Sequence, residues 1–394
     1  MDGLVRLCLL NAVIFVGTGL YLPFFPVWLE SRGLDAAAIG LVLAIPMVVR
    51  ILATPFITGL ADRHLPAGVL LAIVNAGLLA AYALLAETGG PAGIMAVMVF
   101  VGLCMAPLIP LTDVTTTAYL HGRPRLSYGG IRLWGSVAFL VTNLVGGGLL
   151  TVLKADAFVW LLAAVAGLGA VAALAAPRGE RELPVDAAPA VAHAARRQRK
   201  ALLALVMAAA SVQASHAMIY AFGTLHWRGQ GLSGNAIGLL WSLGVLAEIV
   251  LFARLGPFVG TVGRGLACVA LGGGAALVRF ALMGLDPGFA GTLALQLLHG
   301  LSFGATHLGT IAAITGLAPR GARARWQGIL TACNAGAMAA ATMATGPLYG
   351  AFGAGGYFAM AGLGALGMLL ALLAARRVSQ PQSREEGGET VLPS

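Results

Sequence analysis

The sequence predicts an all-α membrane protein of twelve transmembrane helices arranged as two six-helix pseudo-symmetric bundles. Three observations carry that prediction. Of 394 residues, 59% are apolar and 10% charged, and the mean hydropathy is +0.90, a composition outside the range of soluble globular domains. Twelve apolar windows follow one another, each near or above the length of about 20 residues that crosses a bilayer. The second half of the chain also repeats features of the first at a constant offset of 198 residues, the mark of parallel repeats related by an axis along the membrane normal.

The first window, 4–27, is too long for a signal-peptide core and lacks a small-residue cleavage site, so an uncleaved helix is expected. Arg32 separates it from 37–60, which ends in "GLADR", with Asp62 and Arg63 in a short loop. The windows 66–86 and 92–120 follow, then Arg123 and Arg125, then 129–152, Lys154 and 157–176. The second six are 201–226, 235–256, 265–285, 288–317, 326–350 and 355–375, punctuated by Arg228, Arg264, the Arg320–Arg325 cluster and Arg376–Arg377. With this assignment most of the 24 Lys and Arg fall on the side that holds both termini, leaving Arg32, Lys154 and Arg228 opposite. That asymmetry predicts cytoplasmic termini in a multi-pass protein of the cell inner (plasma) membrane. It also removes the net charge of +9 as a sign of nucleic-acid binding, because the charge is spread over short loops.

The repeat places Gly33-Leu34 and Ala38-Ile39-Gly40-Leu41 on Gly231-Leu232 and Ala236-Ile237-Gly238-Leu239, without gaps, and Phe24 on Phe222. Residues 1–176 and 201–377 are therefore expected to form the two bundles. The Pro- and Ala-rich stretch 177–200 reads as a cytoplasmic linker and 378–394 as a disordered tail. Cys8, Cys104, Cys268 and Cys333 all lie within spans at unpaired spacings, so neither a disulfide nor a metal site is expected. The 55 glycines fit helix packing in lipid, where small residues let backbones approach. Gly362, Gly364 and Gly367 spell a dinucleotide fingerprint, but they lie inside a helix with no preceding strand, so that reading is rejected and no cofactor is expected.

Few ionised groups remain within the spans: Arg50, Asp113, Arg132, Glu248 and Arg279, accompanied by His216, His299 and His307. Each bare charge costs about 2.5 to 3.5 kcal/mol at the centre of a span, so these residues are expected to face a protein interior or a wet cavity. Asp113 and Arg132 lie at similar depths on consecutive antiparallel helices and are expected to pair. Glu248 and Arg50 are repeat-related positions of opposite charge, which suits two halves rocking about a shared cavity; Arg279 is the other expected partner of Glu248. Gln296, His299, Phe303, Thr306 and Thr310 form one polar helical stripe, with His307 off it, and Gln213, His216 and Tyr220 form another. Stripes of this kind line aqueous paths.

Twelve spans in two parallel halves, a central charged loop and "GLADR" together resemble the major facilitator superfamily. The segments "PLIPLTD", "YGGIRLWGSVAF", "WSLGVLAE" and "VRFALMG" resemble its phenylpropionate-permease-like members, relatives of the lactose and nucleoside proton symporters. The resemblance implies alternating access driven by protons, with Asp62 and Arg63 in gating. Compared with lactose permease, Asp113 and Arg132 match the acid and arginine of helices 4 and 5, and Glu248, Arg279 and His299 the charged residues of helices 8, 9 and 10. The carboxylate that the permease carries one turn after its helix 10 histidine is here Ser302.

The expected function is symport of a proton with a small organic, possibly aromatic, carboxylate. Three intramembrane arginines against two carboxylates leave one positive charge for a substrate anion to neutralise. Glu248 and His299 are the candidates for proton coupling. Arg50, Asp113, Arg132, His216, Tyr220, Arg279 and Gln296 are the candidates for substrate binding. The expected partners are an organic anion, protons and membrane lipids, around a monomer. A nucleoside or sugar symporter and an exporter of amphipathic compounds are the alternatives within transport. A hydrolase built on Ser302, His299 and His307 would not require the repeat, and a non-transporting receptor is disfavoured by the near absence of extramembrane domains.

Overall fold

The structure, a computed structural model, describes residues 2–63, 65–121, 123, 126–177 and 196–379. Most of the expected linker and almost all of the expected tail lie outside the described residues. The spans are α1 (Gly3–Ser31), α2 (Ala36–Arg63), α3 (Ala67–Glu87), α4 (Pro91–Leu120), α5 (Tyr128–Val152), α6 (Ala155–Ala175), α7 (Arg197–Gly229), α8 (Gly234–Leu255), α9 (Val262–Met283), α10 (Phe289–Leu317), α11 (Arg323–Phe352) and α12 (Tyr357–Ser379). The last two form one helical run of 55 residues, Arg325–Ser379, about twice what one crossing needs. The run folds back at Gly353–Gly356, where Gly353 takes φ +54°, so eleven continuous segments make twelve crossings.

Local chemistry sets the ends. Pro91 opens α4 behind Gly90 at φ +77°. Ser127, Ser233 and Thr261 cap α5, α8 and α9 by accepting from the amides of Gly130, Ala236 and Arg264. Gly33 and Gly231, which the repeat superposes, turn the chain after α1 and α7 with φ +78° and +80°, a backbone region that suits glycine.

Three spans are interrupted at mid-membrane. α4 breaks at Ala106–Pro107, α7 breaks at Ser215–His216, and α10 carries a π-helical turn over Gly300–Ala305. Such breaks persist in a membrane where protein surrounds them, and π turns recur at functional sites.

Within the first half α1 packs on α5 and α6, and α3 on α6; within the second, α12 packs on α7 and α9. The halves meet chiefly where α2 crosses α11 and α5 crosses α8, with α1 against α7 between them. Both crossings are glycine contacts. A Cβ on Gly40 would lie 2.9 Å from the Gly346 amide nitrogen, and one on Gly238 would lie 2.5 Å from the Asn143 carbonyl oxygen. Gly40 and Gly238 are repeat-related, so one close approach occurs twice. Both crossings lie at the side opposite the termini, where α2 and α8 begin and α5 and α11 end. Glu30 at the end of α1 and Arg228 at the end of α7 form a 3.3 Å ion pair at that same far side. The halves thus close there and separate toward the termini.

Candidate functional site

The separation leaves a cavity of about 860 Å³ between the bundles. From the first half it is lined by Phe15, Asp113, Tyr128 and Arg132, and from the second by Tyr220, Trp241, Glu248 and Arg279 with the α10 face. It runs from mid-membrane to the exposed start of α5 at Tyr128 and Gly129, so its mouth is on the termini side.

Arg279 stands at the deep end and is 1% exposed. Its Nη1 donates to His299 Nδ1 at 3.1 Å and to Ser302 Oγ at 3.3 Å, and its Nη2 donates to Gln296 Oε1 at 2.5 Å. Among the described residues no carboxylate pairs with it, and its Nε has no partner. The guanidinium is therefore held by neutral groups, including the Phe280 ring with its centroid 5.2 Å away, and no carboxylate contacts it next to the cavity.

Guanidinium nitrogens only donate, which fixes the protons around them. His299 Nδ1 accepts from Arg279, so in the neutral ring the proton sits on Nε2, which faces Glu248 Oε2 at 3.8 Å. His216 is bound the other way. Its Nδ1 lies 3.0 Å from the Val212 carbonyl, which can only accept, so Nε2 at 3.0 Å accepts from Ser302 Oγ, itself an acceptor for Arg279. The order Arg279, Ser302, His216, Val212 is one directional chain ending on backbone freed by the break in α7.

Glu248 touches His299 and not Arg279, so the expected ion pair between Glu248 and Arg279 gives way to a histidine bridge. Asp113 and Arg132 both line the cavity, but no ion pair joins them among the described residues. Asp113 instead accepts from the Tyr128 hydroxyl at 2.7 Å, and Arg132 lies 3.8 Å over the Phe15 ring. Tyr128 precedes Arg132 by one helical turn and takes the carboxylate first. Tyr128 also engages Arg132, so the pair expected from depth is made through this hydroxyl and across space, without direct contact.

The α10 stripe is corrected as well. Gln296, His299 and Phe303 line the cavity, and the next residue to do so is His307, not Thr306 or Thr310. A π turn takes up one extra residue, and the face beyond it advances by one position. Thr306 is fully buried and packed so close to Gly272 of α9 that no Cβ would fit there. Phe303 lies between the two histidines, with ring centroids 5.3 Å from His299 and 6.5 Å from His307.

Of the other expected site residues, Tyr220 lines the cavity and stacks on Trp241 at 6.2 Å. His216 is 0% exposed and acts behind the wall through Ser302. Arg50 is exposed on α2 and is not part of the lining. The side chains of Asp62 and Arg63 fall outside the described residues. Sequence reasoning missed Tyr128 and Trp241, although each occupies a helical step (i, i+4 to Arg132; i, i+7 to Glu248) that places it beside a charge. Among the described residues no cluster of His, Cys, Asp or Glu has the geometry to hold a metal ion.

The chain is similar to known proteins. The sequence profile of the MFS_1 like family matches residues 4–360. A relative described as a probable 3-phenylpropionic acid transporter of Escherichia coli (strain K12) is 31% identical over 360 residues, 88% of this chain and 91% of the relative. The uncharacterized transporter YwbF of Bacillus subtilis (strain 168) is 25% identical over 294 residues, 74% of this chain and 72% of its own. The crystal structure of the nucleoside transporter NupG superposes with a TM-score of 0.79 at 15% identity, covering 97% of this chain and all of that one, a likeness of fold.

Proposed function

We propose, from the premise that this chain belongs to the MFS_1 like family and is therefore a membrane transporter of the major facilitator type, that it carries a small organic carboxylate together with a proton. One observation supports the reading above the others. Arg279 is buried beside a central cavity with neutral partners only, and an uncompensated buried cation has its largest available gain in binding an anion. The aromatic wall of Tyr220, Trp241 and Phe303 suits an aryl group on that anion, in keeping with a relative described as a probable 3-phenylpropionic acid transporter.

In this reading the carboxylate docks on Arg279 and the ring lies against Tyr220 and Trp241. Glu248 carries the proton, and the protonated Nε2 of His299 faces its carboxylate once that proton has left. Empty and fully loaded carriers then have equal charge, and both reorient; half-loaded forms have an unmatched charge in the cavity and do not. The Asp113–Tyr128 and Arg132–Phe15 contacts form the first half's side of the cavity and orient the substrate. With positive-inside topology the mouth on the termini side faces the cytoplasm of a cell whose inner membrane holds the protein.

The test is counterflow and proton-driven uptake in proteoliposomes, with 3-phenylpropionate, uridine and maltose as competing substrates. Competition by the aryl acid alone, lost in Arg279→Gln, is the expected result. Competition by uridine or maltose with the aryl acid inert would replace the carboxylate by a neutral hydroxylated substrate.

A further inference from the structure

A second cavity lies on the outside of the C-terminal bundle. It is a groove of about 700 Å³ between α8, α9 and α10, walled by Leu246, Val250, Leu271, Leu297 and Leu301. Its one charged wall residue is Arg254. Along α8 the groove runs from Leu243 to Leu255, roughly 18 Å at about 1.5 Å per residue, which matches the depth of one leaflet of a hydrocarbon core about 30 Å thick.

The groove ends on the termini side in positive charge. Arg254 is exposed and has no hydrogen-bond or ion-pair partner among the described residues. Arg264 is tied to the same end, its Nη1 donating at 3.1 Å to the carbonyl of Phe258, another wall residue. No Asp or Glu occurs between Glu248 and Asp286, so neither cation is neutralised by its own segment.

The repeat supplies an internal control. The equivalent positions in the first half keep the apolar wall, as Val48, Leu52, Ile73, Val99 and Leu103. At the positions of Arg254 and Arg264, however, the first half has Phe56 and Pro66. The apolar surface is thus what any lipid-facing helix triplet requires, whereas the first half has no cation at either of these two positions, and the Arg63 of its α2–α3 connection directly follows an acid, Asp62.

We propose that the groove binds an anionic phospholipid of the leaflet on the termini side, one acyl chain lying against α8 and α10 and the phosphate held at Arg254 with Arg264 beside it. The opposite faces of α8 and α10 carry Glu248 and His299. The helices touch so closely that a Cβ on Gly300 would lie 2.7 Å from the Ala247 carbonyl oxygen. A lipid seated here braces the pair of helices that holds the acid and its histidine.

The test uses full-length protein, delipidated in neutral detergent, with thermal stability and native mass spectrometry as readouts. Phosphatidylglycerol is expected to raise the melting temperature more than phosphatidylcholine and to stay bound in the gas phase. Arg254→Ala with Arg264→Ala should abolish that preference, and Val250→Trp, which fills the groove, should abolish retention. Arg325→Ala, at an exposed basic position on α11, should preserve both. Equal stabilisation by the two lipids, equal loss in Arg325→Ala, or an equal shift from inorganic phosphate alone would each overturn the proposal.

Discussion

Glu30 and Arg228 are 198 residues apart, occupy the same place in the two halves of the chain, and bond to each other at 3.3 Å across the far side of the protein. The repeat therefore contributes both partners of its own closure from one repeat-related position. Both side chains are about half exposed, so the pair is worth about 0 to 1 kcal/mol. Glu30→Gln should raise far-side opening by no more than about fivefold. The exchanged pair Glu30→Arg with Arg228→Glu should reverse the change. Labelling rates of a single cysteine placed in the α1–α2 turn measure it.

The glycine crossings should matter more. In Gly40→Ala or Gly238→Ala the new methyl meets backbone at 2.9 Å or 2.5 Å, and backbone cannot move aside as a side chain can. Each variant should favour the form open on the far side. Spin-label distances between the far ends of α2 and α11, or of α5 and α8, should lengthen relative to the unsubstituted protein.

Glu248→Gln fixes a neutral group opposite His299 Nε2. If Glu248 carries the proton, this variant should exchange labelled for unlabelled substrate across the membrane and fail to accumulate it against a gradient. Uphill uptake retained by the variant would remove Glu248 from the coupling step.

Ser302 offers a gain-of-charge test. Ser302→Asp would place a carboxylate about 3.3 Å from Arg279 Nη1, judged from the serine oxygen, and would supply internally the anion that the site lacks. Carboxylate affinity should fall by about tenfold or more, accompanied by a drop in stability, because a carboxylate cannot donate to His216 Nε2 as the serine hydroxyl does. Titration calorimetry or a ligand-induced thermal shift reads the change.

Ser302→Ala separates structure from transport. It removes the hydroxyl that serves His216 Nε2 and leaves that nitrogen buried without a partner, at a cost of about 1 to 3 kcal/mol. Stability to denaturant should drop while His299 and Gln296 continue to hold Arg279.

Much of this protein is legible in its sequence. The spans follow from hydropathy, and the pairing of the halves follows from a register that never slips between Gly33 and Gly231 or between Gly40 and Gly238. The gathering of Asp113, Arg132, Glu248, Arg279 and His299 around one cavity accords with the cost of charge in lipid. Partner choice did not follow. Depth along a helix brings Asp113 near Arg132, but rotation about the helix axis and the reach of Tyr128 decide which contact forms. The cavity face of α10 was readable as far as Phe303 and misread beyond it, because a pattern that assumes 3.6 residues per turn cannot register the extra residue at Gly300–Ala305. Arg50, judged by its repeat relation to Glu248, shows that duplicated positions share a backbone site without sharing surroundings.

The two glycine clasps carry a mechanical corollary. Both lie on the side opposite the termini, where backbone presses on backbone with no side chain between that could swing aside. Parting the bundles at that end means moving whole helices and not turning a rotamer, so the barrier there is as stiff as the helices that form it.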